Sequence, residues 1–210
     1  MVPTKQAVPR PAEHYQVPAL LQDIHLLDLL ELSGTTVQAS TLLHLSQPTV
    51  SRRYRALARD FQLQTDRRQH CQFGSSRTIR LLRLSYRDHR LEGGVARIGT
   101  DPRHHPLLAG LEWLLPAPAR FRPIETWFEL VRQGVLDGAV IYGLELRAAP
   151  AFDSSDLQLV ALGDLPLAPG LPPVLVLPQS AASASVLVHT RDHLQSLAQL
   201  AKAPQACDCP

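Results

Sequence analysis

The sequence predicts an α/β protein in which an all-helical N-terminal part precedes a shortened α/β unit, and three features of its 210 residues carry that expectation. Apolar residues recur at helical spacing in successive segments between Ala19 and Leu91. Beyond Gly93, short apolar runs bounded by glycine and proline alternate with helical stretches, as in strands joined by helices. Arginines crowd into the helical part, whereas acidic residues prevail behind it. With 45% apolar residues the chain can bury one or two modest cores, so a small N-terminal domain and a second domain are expected.

Pro3, Pro9, Pro11 and Pro18 remove backbone donors and restrain their predecessors, so residues 1–18 are read as a flexible arm. From Ala19 to Leu32, the residues Leu20, Leu21, Ile24, Leu27, Leu30 and Leu32 recur at helical spacing with Asp23, Asp28 and Glu31 between them. This first helix ends near Ser33 and Gly34. A second fits Thr36 to His44 and a third Gln47 to Gln62, leaving Leu45 and Ser46 to connect them. A longer helix fits Ser75 to Leu91, with Ile79, Leu82, Tyr86 and His89 three or four apart. Val95–Gly99, Arg120–Ile124, Gly138–Tyr142, Leu157–Leu162 and Val174–Leu177 read as strands, and Pro106–Leu115 and Thr126–Gln133 as helices. Val186–Val188 reads as a strand before a helix from Asp192 to Ala201. The expected division is therefore an arm (1–18), a helical domain (19–74), a connecting helix (75–92), an α/β domain (93–202) and a tail (203–210).

The net charge of +2 is small, but its distribution is uneven. Arg52, Arg53, Arg55, Arg59, Arg67, Arg68, Arg77, Arg80, Arg83, Arg87 and Arg90 are opposed in their stretch only by Asp60, Asp66 and Asp88, which suits a polyanion. No apolar run is long enough to span a bilayer, and the first residues hold no signal-peptide core, so no membrane partner and a cytoplasmic location are expected. Cys71, Cys207 and Cys209 do not describe a disulfide framework. His104 and His105 are adjacent, which suits a loop better than a metal site, and Asp137 beside Gly138 reads as a turn residue. No nucleophile elbow, phosphate loop or carboxylate pair points to an enzyme, and no cofactor is expected.

Residues 36–62 meet the needs of a helix-turn-helix: small residues where two helices cross, apolar residues that fix the crossing, and a polar outer face. Ala39 and Ser40 are small, and Leu43, Leu45, Val50, Tyr54, Leu57 and Phe61 form the inner side. Gln47, Thr49, Ser51, Arg52 and Arg55 are left facing outward. Ser46 can cap the third helix, and Pro48 sits where its missing N–H costs little.

The run from Gly34 to Leu57, GTTVQASTLLHLSQPTVSRRYRAL, resembles the helix-turn-helix of LysR-type transcriptional regulators. Gly34, Ala39, Leu43, Ser46, Gln47, Pro48, Val50, Ser51 and Arg52 match its pattern, and SQPTVSR is the specific part. Thr36, Ala58 and Gln62 depart from it, replacing a phenylalanine, a glutamate and the glycine that closes the helix. The resemblance implies a winged domain that binds double-stranded DNA through Ser46, Gln47, Pro48, Thr49, Ser51, Arg52 and Arg55, with Arg67 and Arg68 on the wing. It further implies a homodimer or higher homo-oligomer joined through Ile79, Leu82 and Tyr86 of the connecting helix. The segments Gly94–Asp101, Glu129–Gly143 and Leu157–Pro166 resemble the first, periplasmic-binding-protein-like lobe of the family's effector domain, in which an inducer would meet Thr100. The second lobe does not fit in the remaining length, so a reduced or absent small-molecule response is expected. A competing reading is a degenerate family member that pairs with a full-length regulator without recognising DNA itself.

Overall fold

The computed structural model describes residues 9–66, 70–143, 146, 153–163 and 172–202. Arg67, Arg68 and the tail with Cys207 and Cys209 lie outside the described residues. The helices are α1 (Gln22–Ser33), α2 (Thr36–Leu43), α3 (Gln47–Asp60), α4 (Arg77–Glu92), α5 (Ile124–Arg132) and α6 (Ser185–Lys202). The strands are β1 (Ile98–Thr100), β2 (Gly138–Ile141), β3 (Leu157–Ala161) and β4 (Val174–Pro178), in the order β1-β2-β4-β3. β1 and β2 are parallel, and β4 pairs antiparallel with both β2 and β3.

Local chemistry sets the helix ends. Gly34 takes φ 72°, a left-handed conformation that closes α1 with a bond from its N–H to Leu30 O at 2.7 Å. Thr35, Ser46 and Ser76 each accept a backbone N–H in the first turn of α2, α3 and α4 respectively. Strands β1, β2 and β4 are buried on both faces, whereas the edge strand β3 is partly exposed. Ala139, Ile141, Val174 and Val176 pack with Trp127, Phe128 and Val131, whereas Val140, Leu175 and Leu177 pack with Val186, Leu187 and Leu194. The sheet thus lies between α5 and α6.

Several expected boundaries shift. Only His105–Leu108 of the predicted 106–115 helix is helical, as a 3-10 turn, and Gly110 at φ 81° interrupts it. Residues 120–123 form no strand; Arg120 instead donates its N–H to Thr100 O, and Pro123 starts α5. The predicted Val186–Val188 strand is the first turn of α6, because Val186, Leu187, Thr190 and Leu194 share one buried helical face. From residue 9 the arm is tied down by Arg10 N–H to Gly94 O, Ala12 N–H to Glu112 O, and a 2.8 Å contact between Tyr15 Oη and His89 Nδ1.

The helical part and the sheet share one continuous packing centred on α1. Leu26 and Leu30 face Ala39 and Val50, Ile24 and Leu27 face Leu57, Ile79 and Tyr86, and Leu29 and Leu32 enter the α5–sheet core. From Leu26 to Ser33 the helix is buried on every side, so Asp28 and Glu31, which lie between the apolar residues, are buried too. Asp28 receives Arg83 Nε at 2.9 Å and Arg97 Nη1 at 3.3 Å, with Arg90 Nη1 4.0 Å away. Asp137 is held by a two-bond fork from Arg90, at 2.6 and 3.0 Å, and by the Arg97 N–H. Glu31 accepts the Phe73 N–H at 2.8 Å and lies 3.8 Å from Arg83. His25 contacts Arg97 and Tyr86, and burial together with Arg97 lowers its pKa to about 3, so it stays neutral.

Two outcomes follow from this packing. Asp28→Ala leaves arginine charge buried without its partner and is expected to cost about 3–5 kcal/mol in denaturant unfolding. Tryptophan fluorescence, from Trp113 and Trp127, and far-ultraviolet circular dichroism should still report one coincident transition; two separated transitions would show that the helical and sheet parts fold independently. Burial raises the Glu31 pKa from 4.5 to about 7, against the pull of Arg83. The folded protein then holds this proton more tightly than the unfolded chain, so the group favours folding most below about pH 4.5 and progressively less as pH rises through about 7. The stability of Glu31→Gln relative to the parent should therefore rise from about pH 5 to about pH 8, by at most about 3 kcal/mol. A difference that stays constant across that range would contradict the burial effect.

Candidate nucleic-acid interface

The helix-turn-helix candidate is built on the side of α1 that carries Leu26 and Leu30. Ala39 of α2 and Val50 of α3 are fully buried against these two leucines, with Leu43, Leu45 and Tyr54 packed around them. A larger residue at Ala39 would push the two helices apart. His44, at φ 52°, ends α2 in the left-handed region, and the Leu45 N–H returns to Ser40 O at 3.0 Å. Only His44–Ser46 then separate the two helices.

Ser46 caps α3 by accepting the Thr49 N–H at 3.4 Å, and its hydroxyl lies 2.8 Å from Thr49 Oγ1. Gln47 Nε2 donates to Thr36 Oγ1 at 3.1 Å, which ties the start of α3 to the start of α2. Gln47, Pro48, Arg52 and Arg55 are exposed, and Thr49 and Ser51 partly so. Arg52 donates to Thr49 Oγ1 at 3.4 Å and Arg55 to Ser51 Oγ at 3.0 Å, so the guanidinium groups lie along the outer face of α3. The acidic residues that could neutralise Arg52 are engaged elsewhere: Asp23 by Arg53 at 2.5 Å and Glu31 by Phe73 and Arg83. The exposed end of a capped helix, flanked by arginine, suits phosphate and base edges alike.

Beyond α3, Gln62 occupies the left-handed region at φ 54°, where the resembling family carries glycine. Tyr54 Oη reaches Thr65 Oγ1 and Phe73 O, holding both sides of the following loop on α3, and the Asp66 N–H donates to Gln72 O. No strand occurs among the described residues of this loop.

The other predicted site residues are placed as follows. Ile79 and Tyr86 are fully buried against α1 and α3, and Leu82 packs beside them, so the stripe expected to form a seam between copies is an internal contact. The exposed apolar residue of α4 is Leu81. Thr100 is buried and donates its hydroxyl to Val140 O at 3.3 Å; an opening of about 260 Å³ lies beside the next residue, Asp101, between Phe121, Arg122 and Trp127. Asp137 is structural, as its turn position suggested. His104 is buried with Nδ1 3.2 Å from Asp101, and the described residues hold no cluster of three or more His, Cys, Asp or Glu side chains suited to a metal. No described helix is long and apolar enough to cross a membrane. The basic cluster is the largest revision: Arg83 and Arg90 are fully buried and unavailable to a polyanion, and Arg87 is largely buried at the edge of a groove beside β3 and β4. Their spacing of three and four, shared with Ile79 and Tyr86 on one helical stripe, was the signal for this in the sequence.

Fold and site together define a three-helix unit whose third helix is capped and faces outward, fused to a small α/β unit. No family model matches the chain, and no curated protein matches it. Solved structures similar to it include LysR-family regulators. A full-length OxyR variant from Pseudomonas aeruginosa shares 13% identity over 85% of this chain and 99% of that one, with a TM-score of 0.45. HinK, a LysR family transcriptional regulator from Pseudomonas aeruginosa, shares 19% over 68% and 51%, with a TM-score of 0.28. LysG from Corynebacterium glutamicum, with bound effector Arg, shares 20% over 70% and 55%, with a TM-score of 0.30. The chain spans about half the length of these last two.

The cap can be tested directly. Ser46→Ala should lower stability by about 1 kcal/mol, as for removal of a helix N-cap, read as a shift in the denaturant midpoint. An unchanged midpoint would mean that Ser46 does not hold the start of α3.

Proposed function

We propose that this chain is a sequence-specific DNA-binding transcriptional regulator of LysR type that acts in the cytoplasm. The observation that carries the reading is the outer face of α3, where Gln47, Thr49, Arg52 and Arg55 stand on a capped helix while Asp23 and Glu31 are paired elsewhere. In this reading Gln47, Thr49 and Arg52 reach base edges in the major groove. Ser46, Pro48, Ser51 and Arg55 fix the helix against the backbone, and Arg67 and Arg68 form a wing that follows the phosphates. The α/β unit is a shortened periplasmic-binding-protein-like lobe with a reduced response, or none, through Thr100, whose buried hydroxyl is already bonded within the sheet. A homodimer matches the two-fold symmetry of paired half-sites. It forms through the outer side of α4 that carries Leu81, since Ile79 and Tyr86 are used internally.

Selection of bound sequences from a random DNA pool, followed by titrations at several salt concentrations, tests the proposal. Arg52→Ala should cost roughly 1–3 kcal/mol at the selected site and hardly change affinity for random DNA, as for a base-reading side chain. Replacing Arg67 and Arg68 should weaken both kinds of DNA and flatten the salt dependence by nearly one unit for each phosphate that is no longer neutralised. Failure to enrich any sequence, or an Arg52→Ala variant that melts earlier yet binds the selected site unchanged, would refute the corresponding assignment.

A further inference from the structure

We propose that the groove between α4 and the β3–β4 end of the sheet binds a small anion through its phosphate or carboxylate group, gripped by Arg87 and Arg80. This inference is independent of DNA recognition. The groove encloses a cavity of about 380 Å³, a size within the range of ~300–1,000 Å³ common for small-molecule sites. One wall is a single stripe of α4, with Arg80, Leu84 and Arg87 at spacings of four and three; the other is formed by Ser155–Leu157 and by Pro178–Ser180.

Arg87 gives the groove its chemistry. It is only 6% exposed, and its Nε has no hydrogen-bond partner among the described residues. Its Nη2 donates to Ser180 Oγ at 3.3 Å. The Asp88 carboxylate stands 3.8 Å from Nε, beyond hydrogen-bond reach, and is largely exposed to solvent. Asp156, the carboxylate within the groove, accepts both bonds from Arg132 Nε at 3.0 Å and is thereby engaged. Burial lowers the Arg87 pKa against the opposing pull of Asp137 and Asp88. An anion held in the groove would offset the cost of burying the Arg87 guanidinium, and Arg80 on the same stripe adds a second guanidinium. Planar guanidinium donors match the paired oxygens of phosphate and carboxylate.

Calorimetric titration of the full chain with inorganic phosphate, and in a separate arm with succinate, tests the site at constant ionic strength set by chloride. Saturable binding of at least one anion is expected, with Kd between roughly 1 μM and 1 mM. Arg80→Ala, an exposed position on α4, should weaken it about tenfold or more, and so should Arg87→Lys, which keeps the charge but removes the fork. Arg191→Ala, which removes a surface pair with Asp192 on α6, should leave it unchanged. The arm that binds more tightly identifies the anion class. Absence of saturable heat with both anions up to roughly 10 mM, or equal affinity in Arg80→Ala and Arg191→Ala, would overturn the proposal.

Discussion

Burying Asp28 in the middle of α1 obliges the chain to bring positive charge to it, because a lone carboxylate removed from water is strongly disfavoured. Arg83 and Arg90 come from α4 and Arg97 from the segment leading into β1. The excess charge they carry is met by Asp137, at the entry to β2, and by Glu31, one turn along α1, when that carboxyl is ionised. The group is thus balanced only when the helical part and the sheet are both in place. Burial of ion pairs adds little net stability compared with well-packed apolar side chains, but an incomplete group is costly, which makes the arrangement a strong determinant of which elements meet.

That constraint shapes the functional surface as well. The arginines of α4 that point inward hold the helical unit to the sheet, so the connection between the first three helices and the α/β unit is a packed interface. Glu31 and Tyr54 extend it to the loop after α3, through the Phe73 backbone. Among the described arginines between Arg52 and Arg90, the exposed ones lie on α3, at Arg52, Arg55 and Arg59, and on the outer side of α4, at Arg77 and Arg80. The electrostatic surface is therefore narrower than an arginine count suggests, and it is concentrated where a capped helix end already favours anions.

The candidate recognition helix was legible because its determinants are local. Ser46 caps, Pro48 fits the first turn, and Ala39 and Val50 fall at positions where two short helices cross; each requirement is set by residues within a few turns of one another. The strands Gly138–Ile141 and Val174–Pro178 were equally plain, since strands buried on both faces read as continuous apolar runs. The segment 106–115 was less readable: its leucines fit a helix, but Gly110 and the parallel bridge between Ala96 and Leu114 turn it into an extended connection beside β1.

The sequence by itself determined the two short crossing helices, their caps and the face of α3 that stands free, because periodicity and capping act between near neighbours. Only the tertiary structure decided that α1 is enclosed on every side from Leu26 to Ser33 and that α4 turns Arg83 and Arg90 inward. It also decided that Ile79 and Tyr86 pack within one chain and that Thr100 closes onto β2. The physical reason is that a charged residue at a helical position reads as solvated until its partner is known. Here the partners of Asp28 lie 55, 62 and 69 residues away, a distance that no local pattern spans.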